Sequence, residues 1–177
     1  DSRHLFNVNL DYSFADGKDY NGPKLFGKDI LANTGLNVVF RARSGTPYTQ
    51  QVNATPEVQF GVSTRSALDG TINGSRLPFT SRIDVRLEKE FKFKLNKKAK
   101  EPNSFSVYAI AQNVLDARNI INVYNYTGSA DDDGFVASLG GADVTGQAFA
   151  DQYLLKVQNP NNFSIPRRIR VGLIYNF

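Results

Sequence analysis

Cysteine is absent from the 177 residues, and histidine occurs once, at His4. The first absence removes disulfides and thiolate metal sites. The second removes any histidine-based triad or multi-histidine metal centre. No stretch approaches the run of about 18 apolar residues that a transmembrane helix needs. Helix signals are sparse as well: the one candidate, about 149–157, sits inside a long loop and has no clean cap. A dominant charge sign is also lacking. The net charge is +4, with acids and bases interleaved along most of the chain, as on a solvated surface and not on a nucleic-acid-binding stripe. No signal peptide precedes Asp1, which for an exported protein leads us to expect a mature or truncated chain.

What is present has a period of two. Apolar Phe6, Val8, Leu10, Tyr12 and Phe14 alternate with Asn7, Asn9, Asp11 and Ser13. The same alternation runs through Leu36, Val38, Phe40 and Ala42, through Ile83, Val85 and Leu87, and through Ile169, Val171, Leu173, Tyr175 and Phe177. Each run predicts a strand with one apolar and one polar face. A further run from Phe105 to about Tyr126 changes phase near Asn113–Arg118, where a bulge or bend is expected. The predicted strands are 2–14, 34–46, 80–95, 104–126 and 166–177. Segments rich in Gly, Asn, Asp, Ser and Pro separate them, shorter near 15–34 and 96–103, longer near 45–79 and 127–165. Neither an internal repeat nor a domain boundary is visible.

A soluble β-sandwich also has one apolar face per strand, so alternation alone leaves two architectures open. Four features favour a membrane barrel. Alternating stretches of about 9–11 residues are long enough to cross a bilayer at a tilt. Charges fall in mid-strand on the polar faces (Arg41, Arg43, Asp84, Arg86, Glu88, Arg170), as a polar lumen allows. Short and long connections alternate, matching periplasmic turns and extracellular loops. Aromatic residues gather near strand ends, at Phe14, Phe91, Phe93, Tyr124, Tyr126, Tyr175 and Phe177, where a membrane interface favours them. Lys89 falls on the apolar face and must snorkel or follow a bulge. Five strands cannot close a barrel, and an open sheet in hydrocarbon leaves two unsatisfied edges. The expectation is therefore an all-β, antiparallel transmembrane β-barrel segment of about five strands, an incomplete barrel over residues 1–177.

Two stretches are more specific. Val107 to Asn119 (Val-Tyr-Ala-Ile-Ala-Gln-Asn-Val-Leu-Asp-Ala-Arg-Asn) resembles the penultimate strand of TonB-dependent outer-membrane receptors, where hydrophobic alternation leads into an Asn-Leu-Phe-Asp-like stretch. Pro166 to Phe177 resembles their last strand, including the terminal aromatic, here Phe177, that the barrel-assembly machinery reads. Ser44 to Thr49 and Asn73 to Pro78 look like the version found in Bacteroidetes (SusC-like), and the resemblance spans nearly the whole chain. It implies a Gram-negative outer-membrane location and import of a scarce, bulky nutrient by the intact protein. The implied partners are the plug and the remainder of the barrel, the lipid bilayer, TonB and a surface lipoprotein, with no nucleic acid and no cofactor. Plug, TonB box and upstream strands are all missing from these residues. A barrel that scaffolds a larger outer-membrane complex is the alternative role.

In this family ligands are held by extracellular loops and the upper lumen. That makes Tyr48, Arg65, Arg76, Tyr124, Tyr126 and Phe135 the candidate ligand-binding residues, since aromatic and guanidinium groups stack and hydrogen-bond. Asp131, Asp132 and Asp133 offer carboxylates for a calcium ion, although not at EF-hand spacing, and a solvated acidic loop accounts for them as well. Lys92, Lys94, Lys97, Lys98 and Lys100 form a basic cluster that a charged hairpin explains without a ligand. No pair of carboxylates is set apart for acid–base work, because Asp84 and Glu88 have arginine neighbours two residues away. Catalysis is not expected.

Overall fold

A computed structural model of the chain describes residues 1–54, 67–93, 103–138 and 142–176. In chain order its strands are β1 (Leu5–Phe14), β2 (Lys24–Leu25), β3 (Lys28–Asp29), β4 (Thr34–Arg43), β5 (Pro47–Tyr48), β6 (Ser75–Arg76), β7 (Thr80–Phe93), β8 (Asn103–Gln112) and β9 (Arg168–Asn176). One helix, α1, covers Ala142–Val157 and is interrupted at Gly146, whose φ of 72° and ψ of 161° are not helical. The chain divides into two compact units. The sheet unit comprises Phe6–Arg41, Arg82–Ala117 and Pro166–Phe177, and the loop unit Asp1–Leu5, Ala42–Ser81 and Arg118–Ile165.

The protein is mostly β, with one five-stranded antiparallel sheet in the order β1-β4-β7-β8-β9 and two-stranded pairs β2-β3 and β5-β6. Every long strand thus pairs with the next long strand, a meander. All five expected strands form, and the sheet is not closed among the described residues. The fourth is much shorter than 104–126, because it stops at Gln112. There the phase change is a turn and not a bulge within a continuing strand. Asn113 adopts φ 52° and Asp116 φ 53°, the left-handed region that asparagine and aspartate tolerate best. The buried Asn113 side chain closes the turn on both sides: Nδ2 donates to the carbonyl of Ala117 (3.2 Å) and Oδ1 accepts from its amide (3.0 Å). Its own amide donates to Asp84 Oδ1 at 3.0 Å, and Asp116 Oδ1 accepts from the Arg167 amide at 2.8 Å.

Register sorts the side chains onto two faces. One carries the rows Leu87–Ala109–Val171, Lys89–Val107–Leu173 and Phe91–Phe105–Tyr175. The other carries Arg86–Ile110–Arg170, Glu88–Tyr108–Gly172 and Glu90–Ser106–Ile174. Toward β1 the division continues. Phe6 meets Phe40 edge-on at 5.9 Å, while Asn37 Nδ2 donates to Asn9 and Asp11 at 2.7 and 2.6 Å. On the polar face Asp84 pairs with Arg41 and Arg82, both at 2.9 Å, and Arg86 pairs with Glu88 at 2.6 Å. Gly172 is a glycine for a packing reason: a β-carbon there would collide with the ring of Tyr108.

Burial in this unit is inverted with respect to an ordinary soluble sheet. Its buried residues are polar: Thr34, Ser104, Ser106 and Asn113. Phe6, Leu10, Tyr12, Leu36, Leu87, Phe91, Ile169, Val171, Leu173 and Tyr175 are all exposed on the apolar face, Leu173 at 64% and Val171 at 71%. Among the described residues, every buried apolar side chain belongs to the loop unit. Lys89 is on the apolar face, as its parity requires, and does not lie flat there. It reaches the strand end, where its Nζ donates to the carbonyls of Ile30 (2.9 Å) and Ala32. At that same end Asp16 accepts from Asn33 (3.0 Å) and Lys92 (3.1 Å), and the Asn33 bond above all holds its carboxyl below the usual carboxylate range.

The Asn113 turn yields a first prediction. Asn113→Ala removes two side-chain hydrogen bonds and forces a β-branchless but β-carbon-bearing residue with no polar group into φ 52°. At about 1 kcal/mol per bond plus about 1 kcal/mol for the backbone, the loss should be about 2–4 kcal/mol. Asn113→Gly, which tolerates the backbone, should recover about 1 kcal/mol of it. Chemical unfolding followed by circular dichroism distinguishes the two. Equal stability of Ala, Gly and parent would contradict this account of the turn.

Candidate functional site

Most of the candidate binding residues fall in the loop unit, which is built around its own small core. Residues 147–157 of α1 present Ala150, Tyr153 and Val157 on one side, at the spacing of three and four residues that a helix face requires. Tyr124, Tyr153 and Val157 form the buried cluster, and Phe135, Val136 and Phe149 pack against it. The Phe135 and Phe149 rings lie 5.2 and 5.8 Å from that of Tyr153. Polar groups tie this cluster to the loops. Tyr124 Oη donates to the carbonyl of Val157 at 2.9 Å, and Tyr153 Oη donates to Asp133 Oδ2.

The acidic run is drawn into this scaffold. Asp133 is buried, and its Oδ1 accepts from the Phe135 amide at 3.1 Å. Asp132 Oδ1 accepts from the Gly134 amide at 2.8 Å, and its carbonyl accepts from Thr127 Oγ1. Both aspartates therefore use a carboxylate oxygen to fix local backbone, the ordinary work of Asx turns. Asp131 is exposed and does not converge with them into a cage. Among the described residues, no group of three His, Cys, Asp or Glu side chains is arranged to hold a metal ion.

Three of the six candidates come together. Tyr48 and Arg76 stand on β5 and β6, which pair as Pro47↔Arg76 and Tyr48↔Ser75. Gln50 links this pair to the segment of Tyr126: its Oε1 accepts from Ser75 Oγ at 3.1 Å, and its Nε2 donates to the Tyr126 carbonyl at 3.4 Å. The Tyr48 hydroxyl lies over Gly128, where a β-carbon would come within 2.5 Å of it, and the Tyr126 ring lies over Gly134 in the same manner. Arg76 Nη1 donates to the carbonyls of Gly45 and Asp1, each at 3.2 Å. Its guanidinium is thereby partly spent on its own loop.

The other candidates separate. Tyr124 and Phe135 belong to the core cluster, Tyr124 buried at 8% exposure and Phe135 half-buried against it. Arg65 and Phe177 lie outside the described residues, as do Lys94, Lys97, Lys98 and Lys100. The structure also brings forward residues the sequence did not single out. Gln50 is the polar hub of the β5–β6 region, and Arg118 stacks on Phe163 at 4.2 Å, across the Ile120↔Phe163 bridge. No local signal marks either of them, because both depend on contacts between distant segments.

A second polar feature lies on the sheet unit. A depression of about 470 Å³ is lined by polar Asp11, Ser13, Asn37, Arg86 and Glu88 and equally by Tyr12, Gly35 and Leu36. Its groups are paired among themselves through Asn37–Asp11 and Arg86–Glu88. Such a surface can hydrogen-bond a polar solute. It holds no hydroxyl activated by a base, and its acids stand beside cations or amides.

No protein-family model matches the chain, and neither a curated protein nor a solved structure matches it.

The Tyr153–Asp133 contact yields a second prediction. Tyr153→Phe keeps the ring in the core and leaves the buried Asp133 carboxylate short of one donor. The expected effect is a local loss of about 1–3 kcal/mol, seen as faster amide exchange across 147–157 with β8 and β9 unchanged. Unchanged exchange in the helix would mean that Asp133 finds another partner at no cost.

Proposed function

We propose that this chain is the C-terminal strand set of an outer-membrane β-barrel of the TonB-dependent receptor type, taking part in the uptake of a scarce, bulky nutrient. The observation that carries the reading is the uncovered apolar face of the sheet. Burying a large apolar side chain is worth roughly 1.5–3 kcal/mol. Ten such side chains left between 40% and 71% exposed forgo on the order of 10–20 kcal/mol, as much as the whole stability of a typical domain. Hydrocarbon on that face removes the deficit.

The remaining features support the same reading. Strands of nine to fourteen residues suit a tilted crossing of the bilayer. The polar face carries paired charges along its length, which suits a wet lumen. Aromatic Phe14, Phe91, Phe93 and Tyr175 collect toward one end of the sheet, with Phe93 stacked on Tyr175 at 6.3 Å, as an interfacial girdle would. The sheet ends at β1 and β9, and lipid tolerates no open ladder. In this reading further strands, from the same polypeptide or another chain, pair with those two edges, and a plug, TonB and a surface lipoprotein are the expected partners in a Gram-negative outer membrane. The receptor type itself rests on the resemblance of 107–119 and 166–177 to that family.

A third prediction tests the lipid-facing assignment. Leu173 sits in mid-strand on the apolar face, paired with Val107. Leu173→Arg should cost about 2–4 kcal/mol if that face meets the bilayer midplane. Arg170→Leu, on the other face, should cost less than about 1 kcal/mol. The readout is the fraction of protein in membranes that migrates faster on gels before heating than after. A parent protein that stays in the soluble fraction and shows no heat-dependent shift would sink the barrel reading and leave a sandwich with a covering sheet.

A further inference from the structure

The 15–33 connection holds a feature that transport does not require. Strands β2 and β3 pair as Lys24↔Asp29 and Leu25↔Lys28, so the loop between them is two residues long, Phe26 and Gly27. Their φ angles are 49° and 73°. Two successive positive values are the type I′ geometry, for which Asn-Gly is the ordinary choice. Phenylalanine is a poor occupant, because its β-carbon crowds the left-handed backbone and it has no polar group to compensate. The ring also gains nothing from the protein: Phe26 is 95% exposed, and Leu25 and Ile30 beside it are 54% and 43% exposed. A strained backbone holding a bare aromatic ring at a hairpin tip points to a function outside the fold.

The hairpin is braced. Tyr20 Oη donates to the Pro23 carbonyl at 2.5 Å and accepts from the Leu31 amide at 3.2 Å, and a β-carbon on Gly22 would meet the Tyr20 ring. Its side of the sheet is also defined. Lys89, on the apolar face of β7, donates to the carbonyls of Ile30 and Ala32. Residues 30–32 therefore lie at the apolar-face side of the strand ends, at the end that carries Phe14, Phe91, Phe93 and Tyr175.

We propose that the β2–β3 hairpin is an interfacial anchor, with Phe26 and Leu25 inserted at the headgroup–acyl boundary of a phospholipid leaflet. Lys28 beside the tip meets lipid phosphates, while Lys24 pairs across the hairpin with Asp29 at 3.5 Å; an apolar tip with a basic flank is what an anionic leaflet selects. This inference rests on the lipid-facing reading of the sheet. Its test separates the two.

The chain contains no tryptophan, so Phe26→Trp and, as a second probe, Leu25→Trp can be introduced into the full polypeptide and read as difference emission against the parent. The protein is reconstituted in vesicles of phosphatidylcholine with one-third phosphatidylglycerol, and folding is checked by heat-dependent gel migration. Leu173→Trp on the apolar face is the control. The expected result is blue-shifted emission from residue 26 or 25, quenched at least twofold when the lipid carries bromine high on its acyl chains. Water-like, unquenched emission at both hairpin positions, with Trp quenched at 173, would overturn the anchor alone. Blue-shifted but unquenched emission would also overturn it, in favour of contact with protein. No quenching at 173 either would overturn the anchor and the lipid-facing reading together.

Discussion

Side-chain parity along β8 is the constraint from which the rest of the sheet follows. Val107 is held between Lys89 and Leu173, and Tyr108 between Glu88 and Gly172. A slip of one residue on either side would exchange the two faces wholesale. Tyr108 would lose the only neighbour small enough to lie under its ring, and Glu88 would join the apolar face. The Tyr108–Gly172 pair therefore acts as a register pin. The Arg86 guanidinium, 5.5 Å from the same ring, extends that pin into the β7 side of the polar face.

With register fixed, the polar face organises itself through short-range pairing. Asp84 is its centre: two arginines approach one carboxylate oxygen, and the Asn113 amide takes the other. Exposed ion pairs contribute little individually. The amide contact is different, because it ties β7 to Asn113, the residue that follows the end of β8. Strand pairing and turn are thus specified by one side chain, and the termination of β8 is as much a property of Asp84 as of Asn113.

How much of this could be read from the residues depends on the range of the interaction involved. Period-two alternation is local, and it located all five long strands to within a few residues except one end. The missed end is instructive. Residues 120–126 include Ile121, Val123 and Tyr124, which look like strand in isolation. The left-handed Asn113 and Asp116 redirect the chain, and Val123 and Tyr124 then pack in the loop unit. Lys89 was recognisable as an anomaly of the apolar face, but its carbonyl partners at Ile30 and Ala32 lie 59 and 57 residues away. Tyr48 and Arg76 were singled out by chemistry alone, and their pairing through β5 and β6 was not legible. Tyr124 and Phe135 were singled out by the same chemistry and serve as core, since an aromatic ring suits a binding surface and an interior equally well.

That ambiguity has a physical resolution in where each unit finds its apolar contacts. The sheet unit buries Ser104 and Ser106 and leaves Leu10, Val171 and Leu173 uncovered, so its aliphatic side chains have no interior to join. The loop unit has an interior, and its scarce large rings are recruited to it: Tyr124, Phe135, Phe149 and Tyr153 surround Val157, which is fully buried. Among the described residues of this unit, Tyr48, Phe79, Tyr126 and Phe163 stay outside that cluster. Tyr48 and Tyr126 differ because each lies over a glycine with positive φ, Gly128 and Gly134, instead of joining the cluster. Their rings are positioned by close approach to backbone, which fixes them without burying them. Arg76 is held in a comparable way, through the carbonyls of Gly45 and Asp1, so backbone contact and not the core cluster positions all three side chains of the β5–β6 region.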